Sequence, residues 1–178
     1  YYFNDSYEVD DARGESNWTP AFFDEFQKYR GYDLRQHLPA LLGMDTPDKN
    51  ARVLYDYRQT INDLLINHYS IRWQHWAAKQ GKGIRNQAHG SPANILDLYA
   101  VSDVPEIEGR DLVSIKAAPS VAHTEGKKLS SSESATWLDE HCQSNLGDVK
   151  KALDLFFLGG VNHIFYHGTC FSPQEAPW

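Results

Sequence analysis

Short apolar runs alternate with longer stretches of helical periodicity along this chain of 178 residues. The longest helical pattern covers residues 51–79, where apolar side chains recur at steps of three and four. Further helical patterns cover 21–29, 34–42, 114–125 and 148–158, and strand-like runs cover 1–7, 84–88, 97–104, 129–132 and 161–166. Strands that alternate with helices predict a parallel sheet with right-handed crossovers. We therefore expect an α/β fold.

Acidic residues stand where several of the predicted strands end. Glu8 follows the first run, Glu106 and Glu108 follow the run at 97–104, and Glu133 follows the fourth run. In a β/α barrel, the loops at the carboxyl ends of the strands build the mouth of the active site. Carboxylates from distant parts of the chain are therefore expected to converge on one pocket.

The length indicates only part of such a barrel. A complete (β/α)8 TIM barrel takes about 250 residues, and the chain opens on YYFNDSYE without a starting Met and stops at APW after a strand and turn. We expect roughly the last five strands of the barrel with their helices. Residues 1–178 would then form one domain, the C-terminal portion of a barrel in a longer protein.

Charge and composition narrow the choice of ligand. A net charge of −7 and a pI of about 5.5 leave no basic surface for phosphate backbones, so nucleic acid is excluded as a partner. No apolar run approaches the ~20 residues of a membrane span, so no membrane partner is expected. Five tryptophans and ten tyrosines beside many carboxylates suit a sugar. Most of these rings are also candidates for the core.

Paired carboxylates favour one chemistry over the others. Glycoside hydrolysis needs one carboxylic acid to protonate the leaving oxygen and a second carboxylate to act as nucleophile or to activate water. Glu8 with Glu108 or Glu133 would satisfy this requirement across a barrel mouth, whereas each glutamate alone is more typical of a solvated loop. The motifs HExxH, GxSxG and GxGxxG are absent. A hard cation such as calcium fits this acidic set better than a histidine-bound metal.

Six motifs, in this order, resemble the catalytic barrel of glycoside hydrolase family 106, the α-L-rhamnosidase-like enzymes. They span nearly the whole chain: FNDSYE at 3–8, NWTPAFFDEFQKYRGYDL at 17–34, NQAHGSPANILDLY at 86–99, DVPEIE at 103–108, VAHTEGKKLSSSESATW at 121–137 and ALDLFFLGGVNHIFYHGT at 152–169. The resemblance implies an exo-acting, inverting hydrolase of terminal α-L-rhamnosides. It also implies Ca²⁺ in the sugar site and a secreted or periplasmic bacterial protein that degrades rhamnose-containing glycans.

The resemblance also assigns roles to residues. It implies that Glu8 is the general acid and that Glu108 is the general base, while Glu133 competes for the role of base or is a third pocket carboxylate. We expect five further residues to line the sugar pocket: Asp5, His89, Glu106, Trp137 and His167. Two alternatives stay open, a noncatalytic carbohydrate-binding barrel and a piece of the hydrolase that has no activity alone.

Overall fold

A single sheet of five parallel strands organises the chain. The computed structural model describes residues 1–7, 17–136 and 144–168. The strands are β1 Tyr2–Asn4, β2 Ile84–Gln87, β3 Val104–Ile107, β4 Ser131–Ser134 and β5 His163–Tyr166. They lie in the order β1-β2-β3-β4-β5, so each strand pairs with the next one along the chain.

This strand order confirms the predicted partial β/α barrel. In a doubly wound fold the order reverses at a switch point, and helices cover both faces of the sheet. Here the order never reverses, so right-handed crossovers place the helices on one side and the sheet curls around the other. The result is a curled half-barrel.

Ten helical segments connect the strands in the described residues. They are α1 Phe22–Arg30, the 3₁₀ turn Leu34–His37, α2 Leu38–Leu41, α3 Pro47–Leu64, the π-helical turn Leu65–Ser70, α4 Ile71–Lys79, α5 Ile95–Val101, α6 Leu112–Ile115, α7 Ala117–Thr124 and α8 Leu146–Gly159. Helix α3, the π turn and α4 follow one another without a break. The long helix predicted at 51–79 is therefore confirmed, with a π turn inside it. None of the described helices is long and apolar enough to cross a membrane.

The strand predicted at 97–104 is wrong. Residues 95–101 form α5 because the Asn94 side chain caps the helix, accepting a hydrogen bond from the Leu96 backbone N–H at 3.2 Å. Periodicity alone does not separate a short buried helix from a strand. The strand starts later, at Val104, and it contains Pro105, which pairs with Asn86 of β2.

Two hydrophobic clusters hold the helices in place. One lies between the outer face of the sheet and helices α5 to α8, and it includes Ala88, Ile107 and Phe156. The other packs α1 and α2 against α3 through Phe22, Phe26 and other apolar side chains. Because Ile107 faces the helices, the alternate residues of β3 face the inside of the curl.

The inner face of the sheet is polar. Residues paired in neighbouring parallel strands point to the same side, and the register pairs Gln87 with Glu106 and Glu106 with Ser131. Arg85 and Glu133 stand two residues away from members of this row and therefore share its face. Charged and amide side chains thus occupy the interior of the half-barrel, below the ends of the strands.

Candidate active site

A cavity of about 540 Å³ opens at the carboxyl ends of β2, β3 and β4. His89 follows β2, Glu108 follows β3, and Glu133 lies near the end of β4, so each strand contributes one titratable side chain to the wall. Helix α8 closes the cavity with the apolar side chains of Leu155 and Phe156. The structure thus brings two predicted catalytic carboxylates and one predicted sugar contact together around one space.

Glu133 accepts a hydrogen bond on one carboxylate oxygen and lies near a histidine with the other. Gln87 Nε2 donates to Glu133 Oε2 at 2.6 Å, and His167 Nδ1 lies 3.3 Å from Glu133 Oε1. The His167 nitrogen is also hydrogen-bonded to Thr136 Oγ1 at 2.9 Å. The Glu133 side chain keeps 16% of its surface exposed. This carboxylate is therefore directed by Gln87 and still reaches the cavity.

Glu108 is held far more loosely. Its side chain is 42% exposed, and Oε2 lies 3.8 Å from His89 Nε2, beyond hydrogen-bonding distance. The other ring nitrogen of His89 is buried and has no partner among the described residues. Glu108 thus has no hydrogen bond among the described residues that directs its carboxylate, whereas Glu133 accepts one from Gln87.

Glu106 lies deeper, two residues before Glu108 on the same strand. It has no exposed surface. Arg85 Nε lies 3.2 Å from Oε2, Ser131 Oγ donates to Oε2 at 2.5 Å, and Gln87 Nε2 donates to Oε1 at 3.2 Å. Protein groups thus enclose both oxygens and leave no surface for a sugar, so the structure places Glu106 in support of the site instead of in contact with a ligand.

The remaining predicted residues differ in what the structure shows. Asp5 follows β1, is exposed, and accepts a hydrogen bond from the Ser6 backbone N–H at 2.8 Å, but it does not line the cavity. His167 reaches the site through Glu133. Glu8 and Trp137 lie outside the described residues, so their predicted roles stay predictions.

Several residues of the site were not predicted. Arg85 and Gln87 lie on β2, and Ser131 lies on β4, all on the inner face. Arg110 lines the cavity beyond β3. A signal was present on β2, because Arg and Gln at alternate positions of a buried strand indicate a polar inner face. The sequence does not show which carboxylates these side chains meet.

Burial changes the pKa of two tyrosine hydroxyls. It raises the pKa of the Tyr99 hydroxyl above its usual range, and it raises that of Tyr69 as well. Tyr69 OH donates to Asn4 Oδ1 at 2.8 Å, at the end of β1. Both phenols are therefore neutral at physiological pH, and Tyr69 serves as a structural hydrogen-bonding group.

The described residues do not form a metal centre. No group of three or more His, Cys, Asp or Glu side chains among residues 1–7, 17–136 and 144–168 is placed to hold an ion. Calcium takes six to eight oxygen ligands, which Glu108 and Glu133 alone do not supply. These residues therefore do not fit a complete calcium site, and no step below passes through a metal.

Two carboxylates from separate strand ends line one cavity of a β/α half-barrel, an arrangement that is typical of barrel-type glycosidases. The chain belongs to glycoside hydrolase family 106, since the family model, described as alpha-L-rhamnosidase, matches residues 1–177. The resemblance inferred from the motifs is confirmed.

Two relatives agree with this family assignment. The chain is 30% identical to a putative beta-glucuronidase of Formosa agariphila over 97% of its length, which is 15% of that protein. It is also 30% identical to the solved structure of a rhamnosidase from Novosphingobium sp. PP1Y, with a TM-score of 0.74 over 94% of this chain and 17% of that one. The chain thus spans about one sixth of the length of these relatives.

Proposed function

We propose that the protein containing this segment hydrolyses terminal α-L-rhamnosides with inversion, and that Glu133 is the general base. The observation that carries the proposal is the short hydrogen bond from Gln87, which directs the Glu133 carboxylate at the cavity, while the His167 imidazole lies near its other oxygen. A general base must point at the water that it deprotonates. Family membership supports glycoside hydrolysis, and the rhamnosidase relative supports the sugar.

The reaction needs one further carboxyl group. Glu133 removes a proton from water, the water oxygen bonds to the anomeric carbon, and the glycosidic C–O bond breaks. A carboxylic acid on the other side donates its proton to the leaving oxygen. The family resemblance assigns this role to Glu8, which lies outside the described residues. In an inverting enzyme the two carboxyl groups stand roughly 6.5–9.5 Å apart.

Glu108 remains the competing base. Its loose contact with His89 and its greater exposure suit a group that binds sugar hydroxyls better than one that must hold a water molecule in line. The experiment compares Glu133→Gln and Glu108→Gln in the full-length protein, with an aryl α-L-rhamnoside as substrate. We expect Glu133→Gln to lower kcat by roughly a thousandfold or more, and Glu108→Gln mainly to raise KM. The reverse pattern would make Glu108 the base.

The substrate panel should include an aryl β-D-glucuronide. One relative is named a putative beta-glucuronidase, and the guanidinium of Arg110, which lines the cavity, suits a uronate carboxylate. If the protein hydrolyses only the glucuronide, the proposed substrate becomes a β-D-glucuronide instead of an α-L-rhamnoside. Binding of sugar without release from any member of the panel would instead favour a noncatalytic carbohydrate-binding barrel.

Two further proposals rest on the family resemblance alone. We propose that calcium supports activity, with ligands that include groups outside the described residues, and that the protein works outside the bacterial cytoplasm on rhamnose-containing glycans. Removing divalent ions with EGTA should lower the activity of the full-length protein, and added calcium should restore it. Unchanged activity after EGTA would contradict the calcium proposal.

A further inference from the structure

A buried polar network on the inner face of the sheet lies behind Glu133. It consists of Arg85, Gln87, Glu106 and Ser131, on three neighbouring strands. Gln87 and Glu106 are 1% and 0% exposed. Buried polar groups are costly unless they are satisfied by one another, so the contacts within the network indicate what holds it together.

The Gln87 amide joins the network to the cavity. Its Nε2 donates to Glu106 Oε1 at 3.2 Å and to Glu133 Oε2 at 2.6 Å. An amide NH₂ group carries two hydrogens, so it can serve both carboxylates at once. The opposite amide orientation would place the carbonyl oxygen against two carboxylate oxygens. The orientation of Gln87 is therefore determined by its neighbours.

Glu106 gives Gln87 a rigid anchor. Its second oxygen accepts from Ser131 and pairs with Arg85. The Arg85 guanidinium lies 4.1 Å from the ring centroid of Phe3 and 3.5 Å from that of Phe165, so this cation is itself held between two aromatic rings. The chain of contacts thus runs from the aromatic pair through Arg85 and Glu106 to the amide.

We propose that Gln87, anchored on Glu106, is a positioning residue that aims the Glu133 carboxylate at the attacking water. The inference rests on the proposed role of Glu133. The short 2.6 Å bond falls on the oxygen opposite the one near His167, so the Gln87 amide is the hydrogen-bond donor that directs this carboxylate. A positioning residue of this kind affects the transition state more than the binding of the substrate.

The test replaces Gln87 in the full-length protein with Met, which has a similar volume and no N–H donor. We expect Gln87→Met to lower kcat on an aryl α-L-rhamnoside by about tenfold or more, with KM within about twofold. The matched control is Asn62→Leu, since Asn62 is also a buried amide, bonded to the Asn94 backbone N–H at 2.8 Å away from the cavity. This control should lower Tm and leave kcat within about twofold.

Two further variants separate the possible outcomes. If Glu133→Gln is inactive while Gln87→Met keeps kcat within about twofold of wild type, the inference is overturned and the proposed function stands. If Glu133→Gln keeps full activity, both are overturned. Should Gln87→Met fold poorly, Glu106→Gln keeps the shape of the network and weakens its anchor. A folded Glu106→Gln protein with a lowered kcat and an unchanged KM supports the inference, and one with an unchanged kcat overturns it.

Discussion

The ion pair between Arg85 and Glu106 gives a prediction about stability. The two side chains are 16% and 1% exposed, and Arg85 Nε lies 3.2 Å from Glu106 Oε2. Arg85→Met removes the only cation on Glu106 among the described residues and leaves a carboxylate without compensation inside the sheet. Breaking a buried pair from one side typically costs about 3–5 kcal/mol.

A second variant isolates the charge effect. In the double variant Arg85→Met/Glu106→Gln both charges are gone, and replacing a buried pair by neutral groups is often close to neutral. The contacts of the guanidinium with Phe3 and Phe165 are lost in both variants, and each cation–π contact contributes roughly 0.5–2 kcal/mol. We therefore expect the double variant to be more stable than Arg85→Met, yet below wild type by about 1–4 kcal/mol.

The assay is urea unfolding of the full-length protein, followed through the transition of the barrel domain. The change in unfolding free energy caused by Glu106→Gln is measured in wild type and in Arg85→Met. The difference between these two changes is the coupling energy of the pair. A double variant as unstable as Arg85→Met would refute the reasoning. The cost would then come from lost packing around residue 85, and not from an unpaired Glu106.

Two other predictions concern groups away from this network. Gly90 has φ +76°, and a Cβ there would lie 2.5 Å from the Tyr7 carbonyl oxygen. Gly126 has φ +64°, and nothing lies within 4 Å of a Cβ built there, so Gly90→Ala should lower the urea midpoint more than Gly126→Ala does. Equal decreases in the midpoint would contradict the close approach at Gly90. Burial, followed by the hydrogen bond to Asp56, raises the pKa of Tyr32 from 10.0 to about 12. The stabilisation by the neutral phenol is therefore complete below pH 10 and lost as pH rises through 12. The difference in unfolding free energy between wild type and Tyr32→Phe should shrink in that interval. A constant difference would contradict the prediction.

The sheet could be predicted because short apolar runs and helical periods alternate through the whole chain. Four of the five predicted strand runs overlap an observed strand in the expected order, and the run at 97–104 shares only Val104 with β3. The exception lies around residue 100, where Leu98 and Tyr99 belong to a helix of seven residues. These two side chains are buried, and a segment this short shows the same run of apolar residues as a strand. The Asn94 cap decided between them.

The site could be predicted only at the level of strand ends. Acids after strands led to Glu108 and Glu133, and the structure places both on one cavity. The different depths of Glu106 and Glu108 could not be predicted, because the end of β3 was misplaced by several residues. Two residues along a strand span roughly 6.6 Å, enough to separate an enclosed carboxylate from one at the mouth.

The partners of Glu133 were also beyond prediction. Gln87 and Glu133 are 46 positions apart and meet only because both β2 and β4 flank β3 in this register. The register between strands depends on how the turns and the core pack in the folded chain. The amino-acid sequence alone does not show this register. The polar alternation of β2 was visible, while the contacts that give it a role required the structure.

The most direct test of an inverting hydrolase based on Glu133 is the anomer released first. The full-length protein and its Glu133→Gln variant are mixed with an aryl α-L-rhamnoside, and proton NMR follows the anomeric signals before mutarotation mixes them. With inversion and Glu133 as the base, wild type should release β-L-rhamnose first, and Glu133→Gln should release almost none. Initial release of α-L-rhamnose, or equal rates from both proteins, would contradict it.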